Sequence, residues 1–338
     1  MYHPHTRGAW YANHFEQLRS PAIALSAVSK TPEPPSPVTR AMQDDPTKDR
    51  AAQQCPICLH TGSPVETRRV RCNVRRFRDR HFTVWRCGQC QSLHSEKVEN
   101  IDKYYDDYPI RNQQLDYFVR AWYRVVLRRL VQSGLTRDSY ILDYGCNQGL
   151  LILFLKQHGF SNCFGYDPYI EQYKSRNVLE AKYDFVISLD VIEHDNAPLD
   201  LLTELTKLLK PGGRLCLETP NADGIDLTDQ EVFLHALHVP YHVHIFSQRA
   251  LADVATRRGL KPVAAYNRWY MDSWIPGTSR RLFESLMEFG GNDLDLGYEP
   301  PRIDVFIRHP VLFFYLFFGY FIPPHKKDHL MMIFAGKC

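Results

Sequence analysis

No apolar run in this 338-residue chain reaches the roughly 20 residues that a membrane-spanning helix needs; Pro310 to Pro324 (PVLFFYLFFGYFIPP) falls short. Charge of one sign is lacking too. The 41 Lys and Arg against 38 Asp and Glu give +3, too little to name a polyanion as partner unless the charge is clustered. The nine cysteines are an odd, scattered set, and the start has no hydrophobic h-region. That excludes a disulfide framework and leaves metal-binding or incidental thiols in a reducing compartment. The early residues are poor in acids, as in a transit peptide, but their arginines are sparse, so the cytoplasm is the expected location. The length suits one large α/β domain with a small satellite.

A phosphate cradle is missing where one would be sought. Tyr140 to Pro168 reads YILDYGCNQGLLILFLKQHGFSNCFGYDP: an apolar strand, a glycine-bounded turn, a buried helix stopped at Gly159, and a second strand ending at Asp167. This is half of a nucleotide-binding βαβ unit, with the acid about 20 residues past the turn, where ribose hydroxyls can reach it. A pyrophosphate needs G-x-G-x-x-G for close backbone approach. Here Asn147 takes the middle glycine position, and Asp143 would repel a phosphate. A ligand with a ribose, a cationic part and no phosphate fits better, a description S-adenosylmethionine meets.

These residues resemble motif I and the second acidic motif of class I S-adenosylmethionine-dependent methyltransferases. The likeness continues in Tyr183 to His194 (YDFVISLDVIEH) and Leu208 to Leu215 (LLKPGGRL), covering about Ile141 to Tyr266 and a last strand near the C-terminus. The resemblance implies an α/β, Rossmann-like seven-stranded sheet with a shortened third strand and an antiparallel last strand. It implies cofactor contacts in the turn, with Asp143, Gly145 and Gly149 at the methionine end and Cys146 and Asn147 beside them, for Asp167 at the ribose, and for Asp190 and Val191 near the sulfur; Pro168 is read as shelter for the adenine ring. Only Pro168 to Lys182 separates the second strand from the next. Val178-Leu179 is therefore read as a vestigial third strand and no adenine acid is assigned.

Cys55-Pro56-Ile57-Cys58 and Cys87-Gly88-Gln89-Cys90 are two C-x-x-C knuckles. Four thiolates so paired make a closed tetrahedral site for structural zinc, a ribbon over 55–95, with Cys72 a bystander. The ribbon's hairpin carries Arg68, Arg69, Arg71, Arg75, Arg76, Arg78 and Arg80. Such a cluster suits RNA phosphates, an acidic small substrate, or a solvated face. Before it, residues 1–54 lack a period, with a proline-rich linker at Thr31 to Pro37, and read as a disordered arm. After it, a tyrosine-rich lead-in (Tyr104, Tyr105, Tyr108) and a helix of roughly Asn112 to Ser133 resemble the lid of the family, over about 102–133 of a domain spanning 96–338; packing aromatics are the equal alternative for the three tyrosines.

Four histidines lie in Phe233 to Ser247. Their spacing through Pro240 does not converge on one face, and no carboxylate joins them at ligand spacing, so they are read as acceptor-facing, His242 and His238 foremost, with His244 bracing the turn. The candidate general base is His194, with Glu193 beside it and His242 second; imidazole titrates near neutrality. The bland reading of Glu193-His194 is a strand-end brace. An insertion (about 268–326) holds the apolar segment 310–324, for which burial, an acceptor pocket or a membrane interface are open and burial is expected. The expected activity is methyl transfer to O, N or C of a small molecule. RNA anchored by the ribbon is the alternative acceptor, and a non-catalytic scaffold the third reading.

Overall fold

The structure is a computed structural model and describes residues 52–99, 101–105, 113–300, 302–322 and 327–337. Most of the arm, with its proline-rich stretch, lies outside the described residues, as does Tyr108. The main sheet begins with β4 (Ile141–Tyr144) and β5 (Cys163–Tyr166) and continues with β6 (Tyr183–Leu189) and β7 (Leu209–Pro220), then β9 (Lys261–Tyr266) and β10 (His329–Ala335). β1 to β3 and β8 belong to a second sheet described below. Strand order is β9-β10-β7-β6-β4-β5. β4, β5, β6 and β7 run parallel, and β10 is antiparallel to both neighbours.

Six strands stand where seven were expected. The residues between β5 and β6 form a turn and a 3-10 helix, Arg176–Glu180, rather than an edge strand. The vestigial strand at Val178-Leu179 is thus corrected: the segment is too short for a helical crossover and a strand as well. β5 becomes the edge, and Tyr140 stacks on its exposed Phe164.

The chain enters the sheet at β4, steps outward to β5, then crosses to β6 on the other side. The order therefore reverses between β4 and β6, and ligands of open α/β sheets bind at such a switch, outside the strands' carboxyl ends. Helix α1 (Tyr117–Gln132) starts where Asp116 caps the Val119 amide, four residues or so later than its apolar period suggests. Val119, Val126 and Leu130 face inward from it. Between β4 and α2 (Leu150–Gln157) the turn is left-handed at Gly145, Asn147 and Gly149. Asn tolerates that conformation better than most side chains, which is how it replaces a glycine here.

Before the main sheet lie β1 (Glu66–Arg71), β2 (His81–Arg86) and β3 (Leu93–Ser95). They form a second sheet whose fourth strand, β8 (His244–Ile245), comes from the histidine-rich loop after β7. Knuckle residues Cys55, Ile57, Cys87 and Cys90 pack in one core cluster with Leu202, Leu205 and Phe246. Cys72 is also buried, among Val70, Val74 and Phe82, and burial pushes its thiol up to about 11.

Much of the arginine hairpin faces acids of its own chain. Arg71 makes a bidentate pair with Glu231 (2.9 Å from Nε and from Nη2), and Arg75 pairs with Glu299 and Asp293. Arg78 lies 3.7 Å from Asp293. Helices α3 (Pro198–Lys207) and α4 (Gln248–Arg257) precede the insertion, where α5 (Arg280–Gly290) carries a buried Arg280 bonded to Asp328 and Glu284. Helix α6 (Val311–Phe318) does not match its expected burial. Only Leu312 is buried, while Phe313, Phe314, Phe317 and Phe318 are exposed, because eight apolar residues cover every side of a helix that has one packed face. No helix among the described residues is long and apolar enough to cross a membrane.

Gly145 is required twice, by its φ of +80° and because a Cβ there would meet Val191 Cγ2 at 2.4 Å. Gly145→Ala should cost about 2–4 kcal/mol. In thermal melts, adding Val191→Ala should recover the steric part of the loss but not the backbone part.

Candidate active site

The carboxyl ends of β4, β5, β6 and β7 each deliver an acid to one crevice. Asp143, on β4, is buried. Burial first, then the charge of Asp167, pushes its carboxyl up to about 7. No described residue hydrogen-bonds it, so a cation supplied by a ligand would be its natural partner. Asp167, at the end of β5, is anchored instead: Oδ2 accepts the Asn147 amide and Oδ1 the Tyr169 amide, both at 2.9 Å. Each oxygen keeps a lone pair for a ribose hydroxyl. Gly145 and Cys146 donate to Tyr166 O, which ties the turn to β5. A narrow cavity over the turn is lined by Gln113, Tyr123, Cys146, Asn147, Gln148 and Leu150. A Cβ on Gly149 would strike the Tyr173 hydroxyl at 2.2 Å, so Tyr173 lies against the bare backbone. Pro168 follows in the turn that leads there.

Asp190 follows β6 in a left-handed conformation (φ +53°), and the Tyr270 hydroxyl donates to its Oδ2 at 2.9 Å. Val191 then turns back onto Gly145. Next, Glu193 is fully buried, and neither carboxylate oxygen has a hydrogen bond of good geometry among the described residues. Burial, then the charge of Asp190, pushes its carboxyl well above the usual range. His194 is partly exposed; its Nδ1 lies 3.1 Å from Tyr241 O and 3.3 Å from the Tyr105 hydroxyl. His242 is buried, with Nδ1 2.8 Å from Ala236 O and Nε2 4.0 Å from Glu193 Oε1. Burial, then His194, holds its ring well below the ordinary value, and burial also lowers His194.

The structure thus joins Glu193 to His194 and His242, where spacing alone suggested that no carboxylate would meet the histidines. His238 points elsewhere: its Nδ1 bonds Asn73 Oδ1 at 2.6 Å and its ring stacks on Tyr241. His244 sits in β8, 3.1 Å from His94 Nδ1, and His94 Nε2 is 3.2 Å from Cys55 Sγ.

Cys55, Cys58, Cys87 and Cys90 converge, with Sγ separations of 3.6 Å (Cys55–Cys90) and 3.7 Å (Cys58–Cys87). Tetrahedral thiolates about 2.3 Å from a zinc ion stand about 3.8 Å apart, so the donor set and its spacing fit that metal.

Three site residues carry no site role in the sequence reading, and a fourth, Glu218, stands at the ligand edge there without one. Tyr123 has its hydroxyl raised by burial, then by the charges of Asp143 and Asp190, and it lines the cavity over the turn; its helical phase reads as packing. Tyr270 lies beyond the recognisable motifs. Tyr105 was weighed only as lid or packing. Glu218 ends β7, the ligand edge of a parallel strand, and that was the available signal; it is buried with His329 Nδ1 3.3 Å from Oε1.

Known proteins resemble the chain over part of its length. Residues 113–265 match a family described as methyltransferase domain. A tRNA U34 carboxymethyltransferase of Pseudoalteromonas atlantica is 32% identical over 116 residues, 27% of this chain and 35% of that protein. One from Nautilia profundicola is 26% identical over 201 residues, 50% of this chain and 64% of that protein. The chain spans from about a third to just under two thirds of the length of these curated relatives. Among solved structures, the Haemonchus contortus phosphoethanolamine N-methyltransferase 2 with S-adenosyl-L-methionine aligns at 13% identity and TM-score 0.41, covering 73% of this chain and 62% of that one. The methyltransferase-domain match runs from just before α1 into β9.

The Asp143 carboxyl has a raised pKa, so the folded chain holds its proton more tightly than the unfolded chain does. Its contribution to stability is complete below about pH 4 and is lost as pH rises through about 7. Between pH 5 and 8 the ligand-free protein should therefore lose stability relative to Asp143→Asn, by on the order of a few kcal/mol. Denaturant melts of both proteins across that range check this.

Proposed function

We propose that the chain transfers the methyl group of S-adenosylmethionine to a small-molecule acceptor bound between Asp190 and His194. The observation that carries this reading is Asp143, buried and without a hydrogen-bond partner among the described residues, beside a turn that has Asn147 in the middle glycine position. Such a carboxylate suits an ammonium, and Asp167 with its spare lone pairs suits a ribose. Gly145, Cys146, Asn147, Gly149 and Pro168 would line the cofactor, with Asp190 and Val191 near the reacting end. When bound, the cofactor supplies an electrophilic methyl group on a sulfonium.

The chain's own work is to orient, to exclude water and to take a proton. Orientation of nucleophile against methyl supplies most of the advantage in such a displacement. Tyr123 and Tyr270 wall the crevice against water. His194, with Nδ1 donating to Tyr241 O, leaves Nε2 as the acceptor for a hydroxyl proton. Glu193 and His242 stand behind it. We assign structural zinc to Cys55, Cys58, Cys87 and Cys90, a closed set with no open position for chemistry.

RNA is the second reading, favoured by the names of the relatives above. Against it stands the hairpin, whose Arg71, Arg75 and Arg78 are engaged by Glu231, Glu299 and Asp293, which leaves less positive charge for phosphates. Purified protein incubated with labelled cofactor and separate RNA and metabolite extracts decides between them. Label should enter the metabolite fraction; label in RNA favours the second reading. No uptake, together with no calorimetric binding at millimolar cofactor, would leave a scaffold. His194→Ala should lower turnover about 10²–10⁴-fold with cofactor affinity little changed; unchanged turnover removes it as the base.

Removal of zinc by a chelator should disorder the knuckles and loosen the loop at His242 to Ile245, which β3 holds by strand pairing. Hydrogen exchange should rise there and stay low in β4 and β6.

A further inference from the structure

Glu193, His194 and His242 form a second group with the composition of a metal centre, outside the four-thiolate site. One ring nitrogen of each histidine and a Glu193 oxygen all lie within 4.8 Å of one another. Two imidazoles and one carboxylate are a donor set used by zinc and by non-haem iron, with positions left open for other ligands.

The surroundings of the donors point the same way. His242 Nδ1 lies 2.8 Å from Ala236 O, a contact in which the ring nitrogen must donate, since a carbonyl only accepts. That fixes the tautomer, leaving Nε2 unprotonated and aimed at Glu193 Oε1, 4.0 Å away. A lone pair therefore faces a carboxyl oxygen across 4.0 Å, too long for a direct hydrogen bond, so the gap between them is open to a cation. His194 Nδ1 is likewise held near a backbone carbonyl, Tyr241 O. Metal-binding histidines characteristically donate their other ring N–H to a carbonyl or carboxylate, which orients the ring. Glu193 meanwhile is 0% exposed, with both oxygens orphaned among the described residues. A buried carboxylate without a partner is costly, and a cation in this gap would satisfy it along with both lone pairs.

The backbone holds the donors as a built site. Glu193 O accepts the Val243 amide at 2.8 Å, which ties the histidine loop to the segment after β6. Ser95 Oγ donates to His242 O at 2.9 Å, so the ribbon sheet holds the same loop from its other side.

We propose that Glu193, His194 and His242 bind one divalent first-row transition-metal ion on the acceptor side of the crevice. Donors about 2.1 Å from such an ion stand about 3–3.5 Å apart, so the three close in by roughly half an ångström each. The partly exposed His194 side is where open coordination positions meet the acceptor. A metal-bound acceptor hydroxyl gives up its proton more readily, here to water on the partly exposed His194 side, and His194 then holds the ion rather than taking the proton. This role, though not the binding site itself, rests on the function proposed above.

The test uses the full chain loaded with zinc at the thiolate site, then equilibrated anaerobically with Mn2+, Fe2+ or Co2+ and desalted. Elemental analysis should find a further equivalent of metal beyond the thiolate zinc, and Mn2+ in the wild-type protein should give the spectrum of an immobilised ion. Glu193→Gln and His242→Gln should each lose the further equivalent while keeping the zinc. Should either variant fail to fold, the wild-type spectrum and anomalous scattering at the metal's absorption edge still decide. The proposal is overturned if wild-type protein takes up no further metal, or if the metal persists in the Glu193→Gln/His242→Gln double variant. Cofactor binding is measured separately by calorimetry: metal without cofactor binding would sink the proposed function alone, and cofactor binding without metal would sink this site alone.

Discussion

Like charge gathered in a dry place is the constraint on which this molecule turns. Asp143, Asp190, Glu193 and Glu218 arrive at the carboxyl ends of β4, β6 and β7 because the strand order reverses there. Two unit charges 4 Å apart at an effective dielectric near 20 repel by about 4 kcal/mol. Such a set is tolerated only with protons, hydrogen bonds or cations. Tyr270 meets Asp190, and His329 meets Glu218. Asp143 and Glu193 have no such partner among the described residues, and these two mark where a cationic ligand and a metal ion are proposed.

The ribbon acts on this crevice through backbone pairing. β3 pairs with β8, Ser95 holds His242 O, and the line Cys55–His94–His244 runs from the thiolates into the histidine loop. The loop is thereby gripped from two sides, by β3 and by Glu193 O. On the far face of the hairpin, Arg71, Arg75 and Arg78 engage Glu231, Glu299 and Asp293, two of which lie in the insertion. Three of the seven arginines that suggested phosphate contacts are thus committed to docking one part of the chain on another. Bidentate arginine pairs are geometrically specific, which suits that task.

Legibility followed the range of the interactions. The turn from Asp143 to Gly149 and the acid at Asp167 are local, bound by the steric demands of left-handed backbone, and their juxtaposition was readable. So was the pairing of the two C-x-x-C knuckles, since thiolate spacing is itself a signature. The missing seventh strand was half legible: the short linker was noticed, but whether it would become strand or 3-10 turn depended on what β5 could pair with. Exposure of α6 was not legible, because an all-apolar octet has no periodicity to reveal how many of its faces find a partner.

What the chain's own order of residues determined is the βαβ turn, the central buried strands, the knuckles and the chemistry of each strand end. These rest on neighbours within a few residues and on periodicities of two and 3.6. Only the tertiary structure decided that Glu193 meets His242, that His238 turns away to Asn73, and that the arginines find acids 160 to 224 positions distant. Such contacts depend on how sheets and loops close on one another. A carboxylate 49 residues from an imidazole carries no mark in sequence of whether folding will bring the two together.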